Sequence, residues 1–214
     1  MKVDTKKKKK SGTTSKRGLL IKAMNLRRAT VPIRGTAPLI QHSWDEKSRE
    51  MLRLTAAERR KIPRVARKPE AEGLAATYWC EDGGYGIPAM AVKAAMIEAA
   101  HRDTGLARTT VRKALRFRTA GLIPMECCEP TLREDIARVG INQTDLRYRP
   151  EFAEWGAKIS FVYDADLLTI GDVVNLMNRA GFSVGIGEWR PEKNGENGTF
   201  EVDPGSETID EPAS

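Results

Sequence analysis

The chain is short of the residues on which secreted scaffolds, metal sites and most catalytic centres depend. Among 214 residues there are three cysteines, Cys80, Cys127 and Cys128, and two histidines, His42 and His101. Three thiols, two of them adjacent, do not make a disulfide framework, and with no CxxC pair they do not form a zinc knuckle. No segment approaches the run of about 18 apolar residues that a membrane span needs. The opening Met-Lys-Val-Asp runs directly into lysines with no apolar stretch behind it, unlike a secretory signal. The expected compartment is a reducing bacterial cytoplasm, with no membrane partner. Gly185-x-Gly187 lacks the third glycine and following helix of a dinucleotide site, so no cofactor is expected.

What the chain does have is positive charge, unevenly placed. The net charge is +7. Residues 1–28 hold Lys2, Lys6 to Lys10, Lys16, Arg17, Lys22, Arg27 and Arg28 against Asp4 alone. A second block holds Lys47, Arg49, Arg53, Arg59, Arg60, Lys61, Arg64, Arg67 and Lys68 against Glu50 and Glu58. From Glu196 onward the sign reverses, with Glu201, Asp203, Glu207, Asp210 and Glu211. Clustered Lys and Arg release counterions from a phosphate backbone, so two basic blocks point to a polyanionic partner. Solvated, partnerless surface segments are the plainer alternative.

Residues 1–17 have almost nothing to bury and read as a disordered basic arm, and 203–214 as a disordered acidic tail. Between them, residues 18–202 read as one domain with a basic insertion at about 45–73. Residues 29–41 suggest a strand ending in a loop. Asp45 to Leu54 reads as a short helix, and Thr55 with Glu58 as the capping box of a second, stopping before Pro63. The stretch 61–73 carries no apolar period and reads as an excursion. Ala89–His101 has an apolar face at helical spacing formed by Met90, Val92, Ala95, Met96, Ala99 and Ala100.

A helix over 108–117 follows, then strands over 122–127 and 132–139. Lys158–Tyr163 is the cleanest strand, with Ile159, Phe161 and Tyr163 on one face. Thr169–Asn178 reads as a helix capped by Thr169 and stopped at Gly181, followed by strands at Phe182–Ile186 and Thr199–Val202. The order strand, helix, strand, strand, helix, strand predicts an α+β fold, a ferredoxin-like or RRM-like split βαβ sheet with insertions.

Three segments resemble motifs of the RAMP superfamily, whose members supply backbone subunits of CRISPR effector complexes. Val31-Pro-Ile-Arg-Gly-Thr-Ala-Pro-Leu-Ile40 resembles its first strand and turn. Gly86-Ile-Pro-Ala-Met-Ala-Val-Lys-Ala-Ala-Met96 resembles its helix start. Residues 181–202, with Gly185, Gly187, Arg190, Gly195, Gly198 and Phe200, are similar to its glycine-rich segment. The chain departs from these motifs at Ala91, Ala94 and Thr199. Arg147-Tyr-Arg-Pro150 through Gly187–Lys193 also resembles a group of phage and prophage proteins.

The resemblance implies a RAMP-type domain that binds single-stranded RNA or DNA and self-associates along the strand. It implies contacts from the Ile87–Lys93 helix start, the glycine-rich turn and a protruding thumb-like insertion. The candidate binding residues are therefore Arg49, Arg53, Arg59, Arg60, Lys61, Arg64, Arg67 and Lys68 in the insertion, with Lys93, Arg147, Arg149, Gly185, Gly187, Trp189 and Arg190. Trp44 and Trp155 are expected to pack. No catalytic site is expected, although His42 or Asp45 would be the centre of an RNA endonuclease if there were one.

Overall fold

The computed structural model describes residues 21–44, 46–63, 66–138 and 144–213; for residues 46–48, 56 and 60 it describes the helix alone, and for residue 138 the strand alone. The basic arm, Asp45 and Arg64 lie outside the described residues.

The largest apolar side chains sit where strand alternation puts them on one side. In β1 (Leu26–Gly35), Ala29, Val31 and Ile33 are buried while Arg28, Thr30 and Arg34 turn to the other face. In β8 (Trp155–Asp164), Ile159, Phe161 and Tyr163 share the core face with them, as the period of two demands. Burying each Val, Ile or Phe side chain here contributes roughly 1.5–3 kcal/mol. Two helices close over that face. One is α4 (Ala89–Asp103), whose Val92, Ala95, Met96, Ala99 and Ala100 are buried. The other is α6 (Ile170–Arg179), which buries Val173, Leu176 and Met177. Met90, expected in the apolar stripe, is 56% exposed and lies off it.

The remaining strands are β2 (Leu39–Ile40), β3 (Gly86–Pro88), β4 (Leu115–Phe117), β5 (Leu122–Cys127), β6 (Thr131–Arg138), β7 (Thr144–Phe152), β9 (Phe200–Val202) and β10 (Ile209–Pro212). The central sheet runs β9-β1-β8-β5-β3, every pairing antiparallel, with β4 beside β5 on β8 and β10 beside β9 on β1. With α4 between β1 and β4–β5, and α6 between β8 and β9, this is the split βαβ, ferredoxin-like arrangement of an α+β fold. A second sheet, β2-β7-β6, stands on it as a hairpin inserted between β5 and β8. Buried Gln41 joins the two sheets: its side chain donates to the Gly86 carbonyl and accepts from the Tyr78 N–H, both at 2.9 Å. No helix of the described residues is long and apolar enough to cross a membrane.

Five expectations need correcting. The helix expected over 108–117 ends at Ala114, and 115–117 form strand β4. The segment 182–186 is not a strand: α6 runs on into a π-turn (Ala180–Val184) that leaves Phe182 83% exposed. Gly181 does not stop the helix; the chain turns at Gly185, where φ is +69°. The excursion 61–73 contains a helix, α3 (Pro69–Ala75), packed on β7. The acidic segment expected to be loose supplies β10, where Arg27 meets Asp210 at 2.9 Å and Arg28 meets Glu211 at 3.4 Å.

Candidate nucleic-acid interface

The basic insertion begins with α1 (Glu46–Arg53) and α2 (Ala56–Lys61). Thr55 caps α2 as the sequence predicts: its hydroxyl accepts the Glu58 N–H, and the Glu58 carboxylate accepts the Thr55 N–H at 2.8 Å. The Thr55 hydroxyl also donates to that carboxylate at 2.7 Å, and this bond first, then the one from the Thr55 N–H, holds the Glu58 carboxyl below its ordinary range, so this acid is committed to the cap. Arg49, Arg53, Arg59, Lys61 and Lys68 are exposed. Arg59 also donates to the carbonyls of Leu54 and Leu52, tying α2 back to α1. The side chains of Arg60 and Arg64 lie outside the described residues.

Arg67 is spent differently. It pairs with Glu72 at 2.6 Å and Asp145 at 3.0 Å and lies 5.5 Å over the Tyr148 ring. The insertion is thereby clamped to the β6–β7 hairpin, and Tyr148 is covered by a cation of its own chain.

Arg147 and Arg149 stand on strand β7. Arg147 lies 2.9 Å from the Asp145 carboxylate. Arg149 is only 5% exposed and reaches the 7% exposed Asp135 at 3.4 Å, with Glu188 at 3.8 Å. A guanidinium so enclosed by carboxylates is an internal ion pair and offers nothing to a phosphate.

The glycine-rich turn folds onto its own chain. Gly187 has φ +78°, and a Cβ there would stand 2.5 Å from the Ile40 carbonyl oxygen, the acceptor of the Glu188 N–H. The close approach expected of these glycines is made to β2, and at Gly185 to Pro191 and Arg190, instead of to a ligand. Arg190 donates to the Gly187 carbonyl at 2.8 Å and to Glu192 at 2.6 Å. Trp189, at φ +52°, remains 42% exposed. Lys93 points its amino group to the Leu115 carbonyl at 3.1 Å. Trp155 is a packing residue, its indole N–H donating to Ala37 at 2.9 Å; Trp44, 55% exposed, is not.

Sequence reasoning did not foresee that His42, Arg149, Glu188 and Tyr78 converge. His42 Nδ1 is 3.1 Å from Arg149 and 3.7 Å from Glu188, beside a cavity of about 190 Å³. Ile87, Ala91 and Gly187 also line it, so the predicted helix start and glycine turn do meet there. Tyr78 gives its hydroxyl proton to the His42 carbonyl, and burial pushes its pKa up. No signal in one sequence links residue 42 to 149 and 188. Among the described residues no group of three His, Cys, Asp or Glu is placed to hold a metal. The Cys127 thiol is pushed up to about 11, chiefly by burial, which keeps it protonated at neutral pH.

The helix-free face of the sheet differs from a stacking platform. Its centre is built of Thr30, Pro32, Ser160 and Val162, with the Thr30 and Ser160 hydroxyls 2.9 Å apart. Phe117 and Phe161 pair on the core side, their centroids 5.9 Å apart.

Fold and surface together define a ferredoxin-like α+β domain carrying a cationic insertion and a β-hairpin. A similar solved chain is found in the cryo-EM structure of the Type III-B Cmr-beta bound to cognate target RNA, with 9% identity and a TM-score of 0.49. The similarity covers 89% of this chain and 62% of that one, so this chain spans less than two thirds of its length. No protein-family model and no curated protein matches the sequence.

Proposed function

We propose that the chain binds single-stranded nucleic acid without cleaving it, using the α1–α2 insertion as its electrostatic anchor. The observation that carries this reading is the exposure of Arg49 and Arg53 on α1, Arg59 and Lys61 on α2 and Lys68 before α3, with the α2 acid Glu58 occupied in a cap. Cations presented this way contact phosphates and fix orientation without reading sequence. The motif resemblance points the same way, towards a phage-type protein that coats a strand side by side with further copies during replication or recombination. In the alternative role, the same resemblance serves to imitate a CRISPR backbone subunit and engage host effector proteins.

Fluorescence anisotropy with single-stranded DNA, single-stranded RNA and duplex DNA, each titrated with salt, tests the reading. Charge reversal at Arg59, Arg60, Lys61 and Arg64 is expected to weaken binding to all sequences and flatten the salt slope. An unchanged slope removes the insertion from the interface. Binding that vanishes on deletion of residues 1–17 assigns it to the arm. Cooperative, length-dependent binding supports coating, whereas weak binding with co-purified effector subunits supports mimicry.

A second reading, RNA cleavage, draws on the convergence of His42 with Arg149 and Glu188. This reading needs His42 to take a ribose 2′-hydroxyl proton, for which Arg149 must first release its Nδ1. It requires cleavage products that disappear in His42→Ala, and intact RNA after incubation with the unaltered protein ends it.

A further inference from the structure

Over most of the domain each arginine is met by a carboxylate: Arg34 by Glu201, Arg108 by Glu98, Arg133 by Asp135. The junction between α5 (Arg108–Ala114) and β4 breaks that pattern. Arg112, Lys113, Arg116 and Arg118 are all exposed there, and among the described residues none is in an ion pair with a carboxylate.

Lys93 from α4 joins them from below. Its amino group and the Arg116 guanidinium donate to one acceptor, the Leu115 carbonyl oxygen, at 3.1 and 3.0 Å. Arg116 also donates to the Arg112 carbonyl. Burial, and then the positive charge of Arg116, hold the Lys93 amino group below its ordinary pKa. Two cations thus share a neutral dipole where other parts of the molecule supply an acid, so the positive potential of the ridge is left uncompensated.

The ridge borders a suitable surface. Arg116 is paired with Val162 and the Arg118 N–H donates to Ser160, which puts both arginines in line with the helix-free face. The Thr30 and Ser160 hydroxyls lie on the neighbouring strands of that face. Hydroxyls and cations along a low surface suit a sugar–phosphate chain, which needs charge and donors but no pocket. The insertion packs elsewhere, through α3 on β6 and β7.

We infer that the α5–β4 ridge, formed by Arg112, Lys113, Arg116 and Arg118, is a second contact for the phosphate backbone of a single strand. The inference rests on the nucleic-acid reading above and extends it to residues outside the candidate set. A competing account is that the cations merely guard the outer edge of β4 against strand addition. That account predicts no change in binding when they are neutralised.

The decisive experiment is salt-titrated anisotropy of the full chain with a long labelled oligouridylate. The variant R112Q/K113Q/R118Q is compared with unaltered protein and with K61Q/K68Q in the insertion. Lys93 and Arg116 stay in place so that the Leu115 carbonyl keeps its donors. With roughly 0.7 counterions released per single-strand phosphate contact, the triple variant is expected to lose about 2 from the log–log salt slope. The insertion variant is expected to lose about 1.4 by the same count. A full slope in the triple variant overturns the ridge while leaving the proposed function standing. No binding by the unaltered protein overturns both. If the triple variant melts early, R112Q alone decides the matter, with an expected loss of about 0.7 against none.

Discussion

Arg149 donates a guanidinium proton to Nδ1 of His42 across 3.1 Å. Arginine has donors only, so the imidazole accepts at Nδ1 and carries its own proton on Nε2. Nitrogen-detected NMR of the neutral ring is expected to show that tautomer. On its other side Arg149 depends on Asp135, and both side chains are almost fully enclosed. Removing Asp135 leaves the buried Arg149 with only the longer 3.8 Å approach of Glu188, at a cost of up to about 3–5 kcal/mol. Asp135→Ala is therefore expected to lower the urea midpoint strongly, and a loss below about 1 kcal/mol would mean water reaches Arg149 after all.

Gly187→Ala brings two penalties together. The backbone sits at φ +78°, and the added methyl meets the Ile40 carbonyl at 2.5 Å. Strain and overpacking together predict a loss of about 2–4 kcal/mol, read from thermal or urea unfolding. A near-neutral result would show that the turn lifts off β2 easily.

Stability in acid is expected to follow the cap of α6. The Thr169 hydroxyl and N–H hold the Asp172 carboxyl below its ordinary value of 3.8. A depressed folded pKa gives stabilisation that is complete above the ordinary value and is lost as pH falls through the folded one. The stability gap between the unaltered protein and Asp172→Asn should therefore be open near neutrality and close as pH falls below the ordinary value of 3.8. A gap that does not narrow means that the charge of Asp172 contributes nothing.

Tyr163 reports on β10. Burial first, and then the hydrogen bond to Asp210 at 3.1 Å, push its phenol pKa upward. Asp210→Asn is expected to lower that pKa part of the way, since burial remains, in a spectroscopic titration of the phenolate. No shift would place β10 away from β1 in solution.

Elements whose cause is local were readable from the chain. The caps at Thr55 and Thr169 need only residues three positions apart, and the alternation in β8 needs only its own face. What stayed hidden depends on distant partners. Strand β7 was obscured because Arg147 and Arg149 look like surface residues until β6 brings Asp135 and Arg133 opposite them. The acidic tail looked loose because Arg27 and Asp210 are separated by 183 residues. The alternation in 182–186 imitated a strand, yet Gly181 is pressed against the Phe200 carbonyl and the helix continues past it. The same blindness affected the site. The positions of the cations were legible, but the carboxylates that engage Arg67, Arg149 and Arg190 were not.

The pairing of β1 sets the order in which this molecule can be assembled. Its neighbour on one side is β8, with Thr30 and Ser160 130 residues apart, and on the other it meets only β9 and β10. A ribosome therefore releases an interior strand of the sheet long before anything exists to pair with it. Non-local closure of this kind slows folding towards the millisecond-to-second range. During synthesis Val31 and Ile33 must wait as an exposed apolar strand, and the newborn chain is most open to misassociation just before β8 emerges.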